Sequence, residues 1–317
     1  MTARRTILLL LFLSAGICCA QFLPRRGSRP GVGKTGNFVR IEGGLVVDED
    51  TVRTARETDT HSTGTPEWTN SPGFETDVFT FTRVIFKSDS SPDWEEWGRW
   101  RRLGWWVDYP DADLNFSHRL QELTSIKTDP DARVLKLSDP ELHRYALLYM
   151  EHAGYMRLSE DEVAALRTYL LAGGVLFVND FWGAQEWDGF AREIAKVLPG
   201  RAWTELTTDH PVFHCVFDLP GPMKKLQVPT IQFWNRNHDP NDPHSPLQRV
   251  FRGEGSEEMH VRAMLDDKQR PLILAIHNSD ISDGWEREGE NELYFNKFSE
   301  KVAYPLGINI IFYLMTH

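Results

Sequence analysis

From about Thr76 to the C-terminus, apolar runs alternate with amphipathic stretches. Val175–Asn179 (VLFVN) and Leu272–His277 (LILAIH) are short, continuous and apolar, the pattern of strands covered on both faces. Val78–Phe86 (VFTFTRVIF) has strand composition, and Arg133–Leu137, Tyr145–Met150 and Trp203–Leu206 read as further strands. Helical patterns fall between them. Ser159 with Glu162 forms a capping box ahead of Glu160–Leu171, which Gly173-Gly174 stops. Glu186–Leu198 is amphipathic and closes at Pro199-Gly200. Asp113-Leu114-Asn115-Phe116 leads into a short helix at His118–Thr124, and Ala303–Met315 predicts a final helix. Trp94, Trp97 and Trp100 recur every third residue, which suits one face of a helix. Strands alternating with helices predict an α/β domain over residues 75–317, with a mostly parallel sheet and helices on both faces. The stretch 218–262 is polar and rich in proline and reads as long loops with irregular strands.

The first 74 residues follow different rules. Arg4 and Arg5 precede the apolar run Ile7–Leu13, and Cys18-Cys19-Ala20 places small residues before a cleavage at Gln21. Residues 1–20 are therefore expected to be a signal peptide, and the mature chain to lie in the periplasm or outside the cell. The apolar run is too short for a span of about 20 residues, so no transmembrane segment is expected in the mature chain. A lipid anchor is the minority alternative, because Ile17 before Cys18 is a poor fit to lipid attachment. Residues 21–74, rich in Gly, Pro, Ser and Thr, read as a flexible linker with a short strand within Phe38–Val47. Gly33-Lys34-Thr35 resembles the end of a phosphate loop, but Ser28 stands where that motif needs glycine and no strand precedes it. No nucleotide site is expected.

Charge narrows the partners. The formal net charge of the chain is −11, and signal removal takes away two arginines and no acids. An acidic surface repels phosphate backbones and anionic lipids, so nucleic acid is not an expected partner. Of the 3 cysteines, only Cys215 survives cleavage after Ala20. One thiol makes neither an internal disulfide nor a cysteine-based metal site. The expected partners are a small-molecule ligand or another envelope protein.

Several stretches carry a resemblance: Asp113-Leu-Asn-Phe116, Tyr169-Leu-Leu-Ala-Gly-Gly-Val-Leu-Phe-Val-Asn-Asp-Phe181, Asp209-His-Pro-Val-Phe-His214 and His277-Asn-Ser-Asp-Ile-Ser-Asp-Gly-Trp285. From about Phe79 onwards the chain resembles the bacterial domain-of-unknown-function 4159 family. The resemblance implies a flavodoxin-like sheet related to class I glutamine amidotransferase-like and ThuA-like domains. In class I amidotransferases a Gly-x-Cys-x-Gly turn presents the nucleophile after the strand. Setting its last glycine on Gly183 puts Phe181 at the cysteine position and Asn179 at the first glycine. Thiol-based glutaminase chemistry is not expected. The ThuA-like relatives include proteins linked to sugar metabolism, so the resemblance leaves a carbohydrate ligand open.

Ligands of open α/β sheets bind outside the carboxyl ends of the strands. That rule selects Asn179 and Asp180 at one strand end and His277, Asn278 and Asp280 at another, with Asp113 and Asn115 after the first strand–helix unit. Asp180, His210 and His277 are the candidates for acid–base work. Asp113, Asn115, Asn179, Trp182, Asn278, Asp280 and Trp285 are candidate ligand contacts, the two tryptophans because they fall in predicted loops. Each has a plainer use. Asp180, Asp113 and Asn115 suit helix caps, His210 before Pro211 suits a turn, and Asn278, Asp280 and Asp283 with Gly284 suit a solvated turn. The spacing of those acids does not match a calcium loop, and no metal is assigned. Trp94, Trp97, Trp100, Trp105 and Trp106 suit either a stacking surface or a core stripe. Two functions follow: an exported binding or scaffold module without glutaminase activity, or a hydrolase-like enzyme acting on a small polar substrate, such as a sugar, at the strand ends.

Overall fold

The computed structural model describes residues 37–74, 77–89, 104–231 and 254–317. The expected signal peptide, residues 21–36 of the expected linker and Trp94, Trp97 and Trp100 lie outside the described residues. The first described elements are a two-stranded antiparallel pair, β1 (Phe38–Arg40) and β2 (Val46–Asp48). The expected linker differs from what is seen over 37–74. Ile41, Val47, Val52 and Ala55 are buried in the core, and the amide of Ala55 donates to the carbonyl of Asp131 at 3.0 Å. A few apolar residues spaced through a polar stretch suffice to pin it, because each meets the main core.

The domain is built on a seven-stranded sheet. Five strands run parallel: β3 (Thr82–Ile85), then, past the short β4 (Lys87–Ser88), β5 (Arg133–Lys136) and β6 (Leu147–Glu151), and, past the short β7 (Met156–Arg157), β8 (Val175–Asn179) and lastly Pro271–His277. Trp203–Glu205 (β9) and His260–Leu265 (β10) extend the sheet antiparallel beyond Pro271–His277, which is β11. The spatial order is β5-β3-β6-β8-β11-β10-β9. Among the parallel strands the first lies between the second and the third, so the chain reverses direction across the sheet after β5 and leaves a crevice between the ends of β3 and β6.

Helix α1 (Asp111–Leu123) joins β3 to β5, α2 (Glu160–Leu171) joins β6 to β8, and α3 (Gly183–Val197) follows β8. Right-handed crossovers running in opposite directions along a sheet put their helices on opposite faces. Accordingly α2 packs with α3, while α1 packs with the short α4 (Asp283–Glu286) and the C-terminal α5 (Tyr304–Thr316). The capping box is formed as expected: Ser159 Oγ accepts from the Glu162 amide, and Glu162 accepts from the Ser159 amide at 2.8 Å. Burial of β8 and β11 is complete along both strands, as their unbroken apolar runs require. No described helix is long and apolar enough to cross a membrane.

One close approach sets the geometry beneath the strand ends. A Cβ on Gly189 of α3 would sit 2.1 Å from the Gly154 carbonyl, and a Cβ on Gly154 would sit 2.4 Å from Glu186 Cβ. Two glycines face to face let α3 press against the loop that follows β6. That loop carries His152, and the turn into α3 carries Asp180.

Candidate functional site

Three neighbouring parallel strands end in the same way. The residues directly after β6, β8 and β11 are His152, Asp180 and Asn278, and each has left-handed backbone, with φ of 53°, 52° and 62°. Asp108, on the loop before α1, has φ of 57°. Left-handed backbone at a residue other than glycine costs of order 1–3 kcal/mol, and such residues concentrate at functional sites. Here the strained turns aim polar side chains to one place. The carboxylates of Asp108, Glu151, Asp180 and Asp280 bring oxygens within 4.8 Å of one another, and Asp108 also lies within 4.8 Å of Asp283 and Glu286. All of these acids are buried.

The partners explain how such a cluster is held. Glu151 ends β6, and one of its oxygens accepts from Arg83 at 2.9 Å while the other contacts the Ser282 hydroxyl. Asp180 Oδ2 lies 2.6 Å from His152 Nε2, and its Oδ1 accepts from the Trp182 indole at 2.6 Å. Asp280 accepts from the Thr230 hydroxyl at 2.8 Å and from the Asp283 amide at 2.9 Å. Asp283 accepts from the Ile231 amide at 2.5 Å and pairs with Arg287 at 3.4 Å, and Arg287 also meets Glu286 at 2.5 Å. His61, on the N-terminal arm, reaches over α1 to Asp111 at 3.6 Å and to Glu286 at 3.5 Å.

Burial, and then the neighbouring Asp108 carboxylate, pushes the Glu151 carboxyl well above the usual carboxylate range. The same two causes push Asp283 up to about 7. Arg83 shows the opposite balance. Burial disfavours its charge, but Asp113 and Glu151 outweigh that and raise the guanidinium above its ordinary value.

The expected residues fall into three groups. Asn179, Asp180, Asp280 and Trp182 meet at the cluster. Asn179 pairs in register with Glu151, its Nδ2 donates to Ser282 Oγ at 2.7 Å, and Trp182 touches Asp180. Asn278 and His277 stand beside it and hold the start of α3. Asn278 Oδ1 accepts from the Gly183 amide at 2.8 Å, and His277 Nε2 donates to the Gly183 carbonyl at 2.9 Å while Nδ1 accepts from Arg262 at 3.3 Å. Burial pulls the His277 imidazole down to about 3, so it is neutral at physiological pH.

The remaining expected residues are engaged elsewhere. Asp113 pairs with Arg83, and Asn115 donates to the Trp285 carbonyl at 2.8 Å. Trp285 is fully buried against Phe116 and Phe81, in the core rather than in an open loop. His210 caps the turn Pro211–Phe213 and packs on Tyr313. Trp105 is also core, its indole donating to Glu49 at 2.6 Å. A shallow cavity lies apart from the cluster, at the end of the edge strand β5, lined by Glu49, Arg53, Ile85, Lys136 and Asp139.

Sequence reasoning passes over Asp108, Glu151, His152, Ser282, Glu286, Arg83 and His61. Two of these carried a signal. Glu151-His152 follows the strand read at Tyr145–Met150 as directly as Asn179-Asp180 follows its own, so the strand-end rule selects both. Arg83 is a charge inside an apolar strand, which requires a buried partner.

Chemically, the cluster offers hard oxygen donors suited to a divalent cation and a His–Asp pair suited to proton transfer. No curated protein matches the chain. The family model for a domain of unknown function, DUF4159, matches residues 99–315, a stretch that holds Asp108, Glu151, Asp180 and Asp280 alike. The chain belongs to the DUF4159 family.

Proposed function

We propose that the chain is an exported enzyme of the hydrolase class that acts on a small polar substrate at the ends of β6, β8 and β11. His152 and Asp180 are its proton-transfer pair. The observation that carries the reading is this pair, with Nε2 2.6 Å from Oδ2, mounted on two strained strand ends. Asp180 stands at the sharp turn from β8 into α3, the kind of place where many α/β enzymes present a reacting side chain. Asp180 orients the imidazole, and the imidazole moves a proton between water and substrate. The order of the five parallel strands supports a flavodoxin-like sheet, and the strand–turn–helix from β8 into α3 supports a distant relation to class I amidotransferase-like domains. Cys215 is no substitute nucleophile, because its thiol donates to the Asn309 carbonyl at 3.2 Å and burial pushes it up. Export rests on residues 1–20, and the periplasm or the extracellular space is the compartment proposed.

A binding module is the second reading. The four clustered carboxylates are at most 5% exposed, which suits a retained ligand.

The test is turnover of p-nitrophenyl phosphates, carboxylic esters and glycosides by the purified protein. One class is expected to react, with a loss of about 100-fold or more in His152→Gln and Asp180→Asn and no change in His210→Ala. Turnover that survives both substitutions refutes the assignment. Absence of turnover with every class, in folded protein, transfers the reading to the binding module.

A further inference from the structure

The acid cluster contains a contact that hydrogen bonds within the protein do not explain. The Asp108 and Glu151 carboxyls bring oxygens within 4.8 Å of each other, both out of water. Asp108 is 5% exposed, and its Oδ2 receives no hydrogen bond. Arg83 faces Glu151, and a proton or a cation between buried carboxylates relieves the repulsion that remains. One shared proton neutralises one acid. Asp180 and Asp280 bring their oxygens to the same point. A divalent cation neutralises two charges at once and gives Asp108 Oδ2 its missing partner.

A second oxygen points the same way. Asn179 is fully buried and its Oδ1 has no donor, while its Nδ2 donates to Ser282 Oγ, which itself contacts Glu151 and Asp280. The amide therefore lies against the cluster with an uncommitted carbonyl oxygen. We propose that Asp108, Glu151, Asp180 and Asp280 hold one hard divalent cation, with Asn179 Oδ1 as a further oxygen ligand. The donor set is all oxygen, with neither thiolate nor imidazole among the ligands. That chemistry selects calcium, magnesium or manganese over zinc or copper. The ligands come from four separate segments, the loop before α1 and the ends of β6, β8 and β11. The cation would therefore tie the switch-point crevice together as well as polarise a bound substrate oxygen. The inference deepens the proposed function, since it concerns the same site.

The test begins with purified protein stripped of metal by a chelator. Terbium binding is followed by luminescence sensitised through Trp182, whose indole touches Asp180. Calcium, magnesium and manganese are then used to displace terbium and to shift the melting temperature. Saturable terbium luminescence, displaced by at least one of the three with a rise in melting temperature, is expected, and Asp280→Asn should weaken affinity by about tenfold or more. Asp108→Asn is the sharper variant. Without metal it should melt higher than the parent, because it removes like-charge repulsion, and it should no longer respond to the cation. If the acids are instead a proton-shared structural network, no cation raises the melting temperature and Asp108→Asn melts lower, which overturns the proposal. Terbium binding unaffected by either variant overturns it too. The two readings separate cleanly: lost turnover in His152→Gln with cation binding intact concerns catalysis alone, whereas turnover without cation binding refutes only the cation.

Discussion

Arg83 is the residue on which the strand-end architecture most depends, and Arg83→Met measures that dependence. The guanidinium is fully buried and uses its N–H groups on protein oxygens: Asp113 at 2.7, 2.9 and 3.0 Å, Glu151 at 2.9 Å, and the carbonyls of Trp105 and Val107 at 2.7 and 2.8 Å. Its carbon lies 5.1 Å from the Tyr149 ring centre and 5.7 Å from that of Tyr109. Methionine keeps the stem and removes the charge. Removing one partner of a buried ion pair costs about 3–5 kcal/mol, and each carbonyl left without a donor costs about 1–3 kcal/mol more. The total approaches the whole stability of a typical domain, about 5–15 kcal/mol. Arg83→Met is therefore expected to leave the protein largely unfolded, or close to it, in urea titrations read by tryptophan fluorescence. Arg83→Met with Asp113→Leu should regain part of the loss, because one orphaned carboxylate is gone. A cost for Arg83→Met below about 1 kcal/mol, the scale of an exposed pair, or strict additivity in the double variant, would refute the reasoning.

Three further outcomes follow from particular contacts. Burial keeps His277 neutral, pulling its imidazole from the ordinary value of 6.5 down to about 3. The unfolded chain therefore binds a proton that the folded one does not, and stability falls as pH drops through the window from 6.5 towards 3. At pH 5 the loss is about 2 kcal/mol relative to neutral pH; His277→Gln, which keeps a donor for Gly183, should lose that much less in urea midpoints, and parallel pH profiles would contradict the assignment. Gly189→Ala would set a Cβ 2.1 Å from the Gly154 carbonyl and should lower stability by about 1–3 kcal/mol by calorimetry; a neutral result would mean that α3 and the loop do not touch. Ser159→Ala removes the side-chain half of the α2 capping box and should cost about 1 kcal/mol in the same assay.

Legibility in the sequence followed burial on both faces. Strand β8 coincides with its expected span and β11 differs by one residue, because a strand covered on both sides must be apolar throughout and punctuation bounds it. Helix α2 coincides with expectation because a capping box and a glycine pair mark its ends. Helix α1 was harder. It begins at Asp111, seven residues before the expected helix at His118, since Asp113 and Asn115 resemble turn residues until their partners Arg83 and Trp285 are known. Strand β10 begins at the end of a stretch read as long loops with irregular strands, where histidine and arginine alternate with its buried residues. The N-terminal arm was illegible for a related reason. Its hold on the domain combines a few scattered core residues with polar contacts such as those of Thr60 and His61 with Asp111, and neither leaves a periodicity.

The candidate site was half legible, and the missing half is instructive. A strand-end rule selects residues one strand at a time, so it reaches Asn179, Asp180, Asn278 and Asp280. It does not say which strand ends are neighbours. Only the order β6-β8-β11 sets Glu151-His152 beside Asp180 and Asp280. Asp108 lies further from any rule, in a loop whose sequence, Trp106-Val-Asp-Tyr-Pro110, carries no motif. It enters the cluster through backbone strain at φ 57°, a conformation that sequence does not announce for aspartate. Yet Asp108 is the acid shared by both carboxylate groups, and its Oδ2 is an oxygen whose hydrogen-bonding capacity the fold leaves unused. Asp108 is thus a buried side chain in a costly backbone conformation, with an oxygen that no protein donor meets. The proposed cation would supply the partner of that oxygen, and that is why Asp108→Asn, rather than any substitution among the residues legible from sequence, is the decisive variant.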